Sequence, residues 1–333
     1  MKKVISFFFI LTIFPATIFS NSQKIFLNID HKYIKKFNET FQKICSTEKF
    51  FKNLTSHISY PKFGNTREWK KVCRNIGYKK VDENHLIKKN FRIKNLSEKS
   101  GKLTGYYEPE VNVSKVKTSR YKIPILKYND RFLGVKRASI IKKYKESDVL
   151  LWTDDTIDLF FLQIQGSGVG IFENGEKIKI LYNGNNNLKY TSIGNILIKE
   201  KLLKKKNVNL FSIKKFLREN PKKIDSILNE NGRYIFFKTS LDNKKGPLGA
   251  FGINLVSDVS IAVDKKYYPL GIPLLYKEGE SQTFKPVFAL DTGSAIKGEN
   301  RADLFTGNGK SAEEVAGMLK KKLLLYVLVP YSN

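Results

Sequence analysis

A chain of 333 residues with a formal net charge of +29 has room for two domains of ordinary size and presents a strongly basic surface. The excess charge comes mostly from lysine residues scattered along the chain. Such a surface could adsorb to an acidic polymer or lipid, but it is equally compatible with a solvated face that binds no ligand. The three histidines and two cysteines lack the spacing of metal ligands, so we expect no metal site and no other cofactor.

The N-terminus has the layout of a secretory signal peptide. Two lysines precede an apolar run at residues 4–19, and Ser20 and Ser22 offer a cleavage site. We predict that residues 1–22 are removed. An uncleaved anchor is the alternative, although Pro15 leaves the run short of the ~20 apolar residues of a typical span. Export to the periplasm argues against a nucleic-acid partner.

The next segment, residues 30–96, is predicted to be helical and rich in loops. Apolar residues at three- and four-residue spacing form one stripe around Phe37 and a second around Trp69. Facing stripes would bring Cys45 and Cys73 together, and an oxidising compartment permits a disulfide between them. Two unpaired buried thiols are the alternative.

The middle of the chain is predicted to contain short extended segments and glycine turns. Residues 105–109 form a turn-rich aromatic stretch, residues 152–165 alternate as in a strand, and residues 184–187 form a turn between strands. A helical block follows, and its second helix opens at the Asn-Pro pair 220–221.

The last third is predicted to be a small barrel, because many short strands accompany a single helix there. The helix is expected to begin at the capping sequence SAEE, residues 311–314, and to end near Lys320. The expected strands lie at residues 234–238, 261–263, 273–276, 287–290 and 323–329.

Carboxylates are the best candidates for chemistry. The sequence TGNGKS at 306–311 lacks the first glycine of a phosphate-binding loop, and no histidine follows Ser167 to serve it as a base. Asp303 precedes two apolar residues, and such neighbours raise the pKa of a carboxyl group, which suits it to donate a proton. Asp291, in an Asp-Thr-Gly turn, is expected to cap backbone amides, and turn capping is the alternative for both aspartates.

Five separated blocks, in order, resemble the membrane-bound lytic murein transglycosylase A family, and the last of them resembles the three-aspartate domain of cell-wall enzymes. Together they cover residues 100–330, and it is their combination that is specific. The blocks are TGYYEP at 104–109, QIQGSG at 163–168, YTSIG at 190–194, GPLGA at 246–250, and a last block with Asp264, PLGIP at 269–273, DTG at 291–293, IKG at 296–298 and DLF at 303–305.

The resemblance implies a mainly β fold with flanking helices, in which a double-psi β-barrel carries an inserted second β-rich domain. The glycan would lie in the groove between the two parts, a common place for a ligand. The expected divisions are the signal peptide (1–22), an N-terminal helical region with the first part of the barrel domain (23–110), the insert (111–233) and the three-aspartate domain that completes the barrel (234–333).

The resemblance also implies a lyase that cleaves the β-1,4 bond between N-acetylmuramic acid and N-acetylglucosamine in peptidoglycan, leaving 1,6-anhydromuramoyl ends. The catalytic aspartate of the family corresponds to Asp303, and Asp291 would support it. The expected substrate contacts are Thr104, Gly105, Tyr106, Gln165, Gly166, Ser167 and Lys297. Core packing remains the alternative for Tyr106, and a surface position without a ligand remains the alternative for Lys297.

Two other functions stay open: a peptidoglycan hydrolase with Asp291 as the base, and a wall-binding protein without catalysis. Well-known members of the family are outer-membrane lipoproteins, whereas no cysteine follows the signal here. We therefore expect a periplasmic monomer whose partner is the peptidoglycan glycan strand, with at most a peripheral association with the outer membrane.

Overall fold

The computed structural model describes residues 28–77, 85–241 and 246–331, so the predicted signal peptide lies outside the described residues. Two β-sheets with flanking helices make up this part of the chain. None of its helices is long and apolar enough to span a bilayer. Along the chain the strands are β1 (Asn28–Ile29), β2 (Phe91–Asn95), β3 (Gly101–Glu108), β4 (Glu110–Ser114), β5 (Ile123–Leu126), β6 (Val149–Thr153), β7 (Gly168–Ile171), β8 (Lys177–Asn185), β9 (Ile235–Ser240), β10 (Ser260–Val263), β11 (Pro273–Glu278), β12 (Thr283–Asp291), β13 (Arg301–Asn308) and β14 (Lys320–Pro330).

The helices fall into an N-terminal group, a group between the strands of the second sheet, and one near the C-terminus. They are α1 (Ile34–Cys45), α2 (Glu48–Thr55), α3 (Thr66–Gly77), α4 (His85–Asn90), α5 (Arg137–Lys143), α6 (Thr156–Gln165), α7 (Ile193–Lys199), α8 (Leu210–Glu219), α9 (Ile224–Asn229) and α10 (Gly309–Met318).

The first sheet closes into a barrel. Around the ring the strands follow the order β12-β10-β13-β3-β14-β11, and pairing of β11 with β12 completes it. The β3–β13 and β10–β12 pairs are parallel, and the other pairs of the ring are antiparallel. The interior is filled by apolar side chains of these strands. The prediction of a mainly β fold built on a closed barrel with flanking helices is confirmed.

The N-terminal helices cover the outside of this barrel. Phe37 and Phe41 of α1 are fully buried, and the Phe37 ring stacks on Phe288 of β12 with centroids 4.3 Å apart. Cys45, the last residue of α1, forms a disulfide with Cys73 of α3 across a Cα–Cα distance of 5.4 Å. The facing apolar stripes therefore place the two thiols within bonding distance.

The second sheet has the strand order β5-β6-β4-β7-β8-β9, and a bridge from Lys127 to Phe237 brings its two edges together. A buried arginine organises one side of it. Arg137 donates from Nη1 to Oε1 of Gln163 and from Nε to the carbonyl of Asn231 at 3.0 Å. Its guanidinium lies over the ring of Tyr234, 5.1 Å from the centroid. These polar groups are thus satisfied within the second sheet and its helices.

The chain passes from the barrel to the second sheet at Pro109, between β3 and β4. It returns only after β9, because Ile235–Ser240 pairs with β8 and not with a barrel strand. The boundary expected at Arg233 therefore has to move beyond Ser240. At the first crossing Glu108 and Lys179 form a buried ion pair of 2.7 Å, with side chains 0% and 4% exposed.

Three local predictions were wrong. Residues 105–109 are mostly strand β3 rather than a turn, and residues 152–165 contain helix α6. Asp155 caps α6, because its carboxylate accepts from the amides of Ile157 and Asp158. Helix α10 begins at Gly309, before the expected capping sequence.

Candidate active site

The two strands that carry the site lie side by side in the barrel. Asp303 on β13 pairs in register with Thr104 on β3. Their neighbours Leu103 and Ala302 are fully buried in the barrel, so by strand alternation Thr104 and Asp303 occupy its outer face. The Thr104 hydroxyl donates a hydrogen bond to Oδ1 of Asp303, and Arg301 donates from Nη2 to Oγ1 of Thr104 at 2.8 Å.

Asp303 has the environment of a proton donor. Burial of the carboxyl group raises its pKa, which the Thr104 hydrogen bond and the charges of Arg301 and Lys102 partly oppose. The side chain is only partly covered, so a ligand can reach it. A carboxylic acid with a raised pKa and an open approach is suited to general acid catalysis.

Asp291, at the end of β12, is held by three donors. Its Oδ1 accepts from the amides of Ala250 and Thr292 at 3.1 and 2.9 Å, and its Oδ2 accepts from the Tyr106 hydroxyl at 3.0 Å. Burial raises the pKa of Asp291, and the nearby charge of Asp303 adds to the rise. Burial also raises the pKa of Tyr106, which keeps the phenol protonated as a donor. Asp291 thus caps amides, as its turn sequence indicated, and is bonded to Tyr106 as well.

A cavity of about 600 Å³ opens between the two sheets beside Asp291. Gln165, at the C-terminal end of α6, faces it and is tied to the barrel, because its Oε1 accepts from the Tyr107 amide at 3.1 Å. The predicted contacts that line this cavity are Gln165, Gly166, Ser167, Asp291 and Lys297.

The predicted glycines have different surroundings. At Gly166, with φ of +87°, a Cβ would meet open space, consistent with a wall that a ligand can approach closely. At Gly105 a Cβ would lie 2.7 Å from the Cα of Ala316, so its open side faces α10 and not the site. At Gly168, the last residue of the block QIQGSG, a Cβ would likewise meet Leu162 and Pro109. Gly105 and Gly168 therefore serve packing.

Three groups of the site were not predicted from the sequence: Arg301, Lys102 and the amide of Ala250. Arg301 and Lys102 each lie two residues before a site residue on the same strand, so period-two alternation would have found them had both strands been recognised. In the described ranges, no group of three or more His, Cys, Asp and Glu side chains is placed to hold a metal ion.

Known protein families match both the inserted sheet and the C-terminal part of the barrel. Residues 134–238 match the model of the MltA specific insert domain, and residues 259–329 match that of the 3D domain. A membrane-bound lytic murein transglycosylase A homolog of Buchnera aphidicola is 31% identical over 323 residues, 90% of this chain and 83% of that protein.

Solved structures share the fold. The membrane-bound lytic murein transglycosylase of Agrobacterium tumefaciens superposes with a TM-score of 0.76 at 23% identity, over 89% of this chain and 92% of that one. Escherichia coli MltA with bound chitohexaose superposes with a TM-score of 0.75 at 22% identity, over 92% of each chain.

Proposed function

Because the chain belongs to the membrane-bound lytic murein transglycosylase A family, we propose that it is a lyase that cleaves peptidoglycan glycan strands. The observation that carries this proposal is the pair formed by Asp303 and Thr104 on the outer face of the barrel. It supplies one carboxyl group with a raised pKa, which is what a single acid/base requires. Asp303 does not itself line the cavity, but its charge acts on Asp291, which does.

In the proposed reaction Asp303 acts twice. Protonated, it donates to the oxygen that links N-acetylmuramic acid to N-acetylglucosamine, and the bond from that oxygen to C1 breaks. As a carboxylate it then takes the proton of the muramoyl O6 hydroxyl, whose oxygen forms the new bond to C1. The product is a 1,6-anhydromuramoyl end, and no water is consumed. The nucleophile belongs to the substrate, so its effective concentration is high.

Thr104 and Arg301 are proposed to position Asp303 between these steps. The Thr104 hydroxyl stabilises the carboxylate once the first proton has left, and Arg301 fixes the orientation of that hydroxyl at 2.8 Å. Asp291 adds negative charge near the sugar as C1 gains oxocarbenium character.

A hydrolase is the second candidate, and the contacts of Asp291 argue against it. A base that activates water needs a carboxylate lone pair directed at that water. Three of the four lone-pair sites of Asp291 already accept hydrogen bonds, from Ala250, Thr292 and Tyr106. The arrangement favours a fixed supporting charge.

We propose that Gln165, Gly166, Ser167 and Lys297 contact the glycan from the cavity wall. The name of the family places related proteins at a membrane of the cell envelope. For this chain we propose export by the N-terminal signal and action in the periplasm as a monomer. Attachment to the outer membrane would be peripheral.

The test is mass spectrometry of the muropeptides that the mature protein releases from purified peptidoglycan. Anhydro products are expected, lighter by one water than hydrolysis products. Asp303→Asn should lower the rate by roughly 10²–10⁴-fold, the usual contribution of a general acid/base. Reducing-end products would establish the hydrolase instead. Binding without release by either protein would leave a glycan-binding module.

A further inference from the structure

A row of cations surrounds Asp303 on the outer face of the barrel. Residues opposite each other on neighbouring strands project to the same face. On β13 and β3, Arg301 is opposite Lys102, beside the pair of Asp303 and Thr104. On β14, Lys320 is opposite Thr104 and Lys322 is opposite Lys102. Four cationic side chains thus share one face with the proposed catalytic acid, and we call Lys102, Arg301, Lys320 and Lys322 the basic face.

The basic face keeps like charges together. Lys102 has Arg301 opposite it on one neighbouring strand and Lys322 on the other, and like charges in opposite positions are destabilising. Partial burial and the charges of Arg301 and Lys320 lower the pKa of Lys102, and the single nearby carboxylate of Asp303 only partly opposes this. Within the described ranges, the ammonium groups of Lys102, Lys320 and Lys322 have no hydrogen bond or ion pair, and the three lysines are exposed. Cations crowded in this way, and open to solvent, suit an anionic ligand.

We propose that the basic face binds the carboxylates carried by the muramoyl residues of the glycan strand. The inference rests on the proposed function, since it places the strand across Asp303. Each muramoyl residue carries a lactyl ether whose carboxyl group is either free or joined to a stem peptide with carboxylates of its own. A strand that extends from the cavity past Asp303 would reach the face of the barrel that carries these lysines. The free lactyl group and the stem peptide both offer the same ligand, a carboxylate beside the sugar that reacts.

Lysine suits this task, because its flexible ammonium can follow a carboxylate on a mobile substituent, whereas arginine favours a fixed bidentate geometry. Each exposed contact contributes little by itself. Several together attract an anionic polymer and hold it in one register. The basic face would therefore act on substrate binding and on the choice between acidic and neutral strands.

The experiment compares Lys320→Glu/Lys322→Glu with the matched control Lys321→Glu. Lys321 is also exposed, but it is opposite Leu103, which faces the barrel interior, so it belongs to the other face of β14. Steady-state rates of anhydro-product release are measured on three forms of peptidoglycan glycan. These are intact strands, strands freed of stem peptides by an amidase, and intact strands whose carboxylates have been coupled to ethanolamine.

We expect the double variant to raise KM on intact strands by roughly fivefold or more, with a much smaller change in kcat, and Lys321→Glu to have no such effect. The penalty should shrink on the ethanolamine-coupled strands. If the penalty persists on the peptide-free strands, the basic face also binds the lactyl carboxylate that the amidase frees; if it disappears there, the basic face binds only the carboxylates of the stem peptide. Lys320→Gln/Lys322→Gln should give a smaller effect in the same direction.

Equal KM values for the double variant and the control on intact strands, with wild-type activity intact, would overturn the inference and leave the proposed function standing. Absence of anhydro products from the wild-type protein on all three forms would instead overturn the proposed function. Circular dichroism and thermal unfolding of each variant show whether a loss reflects binding or folding.

Discussion

The barrel and the inserted sheet differ in what they contribute to the site. The barrel supplies the groups proposed to do chemistry, Asp303 and Thr104, on two strands paired in register. The insert supplies a wall, with Gln165 at the end of a helix, while its buried Arg137 is satisfied within the insert itself. The proposed chemistry therefore depends on the barrel alone, whereas the insert contributes only to the wall that faces the substrate. A substitution in the insert should leave a different signature from a substitution at the proposed acid.

The largest expected effect comes from breaking the junction between the two. Glu108→Gln leaves Lys179 buried without its partner, which typically costs about 3–5 kcal/mol. The free energy of unfolding from urea titration should fall by about that amount. Glu108→Gln/Lys179→Met should recover much of the loss, because no buried charge then remains. A single variant as stable as wild type would mean that the pair is solvated in solution.

A smaller effect is expected in the barrel from Thr104→Val, which keeps the shape of the side chain and removes the hydroxyl. The loss of a hydrogen bond to a charged group should lower kcat by about 10–100-fold. The same hydrogen bond lowers the pKa of Asp303, so its loss should raise that pKa. Since Asp303 must be protonated to act, the limb on which kcat falls with rising pH should move to higher pH. Thr104→Ser, which keeps the hydroxyl, should behave like wild type.

On the side of the insert, Gln165→Ala should act through binding. It removes one hydrogen bond between the wall and the barrel, worth about 1 kcal/mol, so kcat/KM should fall by roughly fivefold, mainly through KM. Gln163→Ala, on the same helix, instead leaves the buried Nη1 of Arg137 without its acceptor and should lower the free energy of unfolding. If both variants change KM and the free energy of unfolding to the same extent, Gln165 and Gln163 do not have the separate roles in binding and in stability that we propose.

The smallest effect concerns stability in the barrel. The folded-state pKa of Asp303 is raised, so its contribution to stability is full below the unfolded pKa of about 3.9 and is lost as pH rises through the folded value. Asp303→Asn cannot ionise, so the variant does not lose this stability as the pH rises. Its Tm should match wild type at low pH and exceed it at neutral pH, by about 2 °C per kcal/mol gained. Asp225→Asn, which removes an exposed charge of the insert, should not show this trend.

Much of the barrel could be predicted from sequence, because strands such as β10 and β11 are short apolar runs between Gly and Pro residues. The site strands could not. Gly105 made β3 resemble a turn, whereas it is glycine because α10 packs against it. Helix α6 resembled a strand, because it is apolar on most sides and lacks the period that distinguishes a surface helix.

The residues of the site also divide into those that could be predicted from sequence and those that could not. Asp303 and Asp291 were predicted because their sequence neighbours, two apolar residues after Asp303 and Thr-Gly after Asp291, indicate their roles. Arg301 was missed because β13 was not recognised as a strand, so its place on the same face as Asp303 was not seen. Its contact with Thr104 depends in addition on the parallel pairing of β13 with β3, whose residues are about 200 positions apart, and no local pattern encodes that register. The same limit hid the basic face, which exists only once β14 lies beside β3.

The ring closure of the barrel has a consequence for dynamics. Strands β3 and β13 each have a paired strand on both sides, so neither is an edge. Such strands belong to the units that open last and whose amides exchange most slowly with solvent. The proposed catalytic residues would thus lie in the most slowly exchanging part of the molecule. The wall that faces them belongs to the separate cores of the insert. If these cores open before the barrel on heating, the substrate contacts of the wall are lost while the acid itself remains in place.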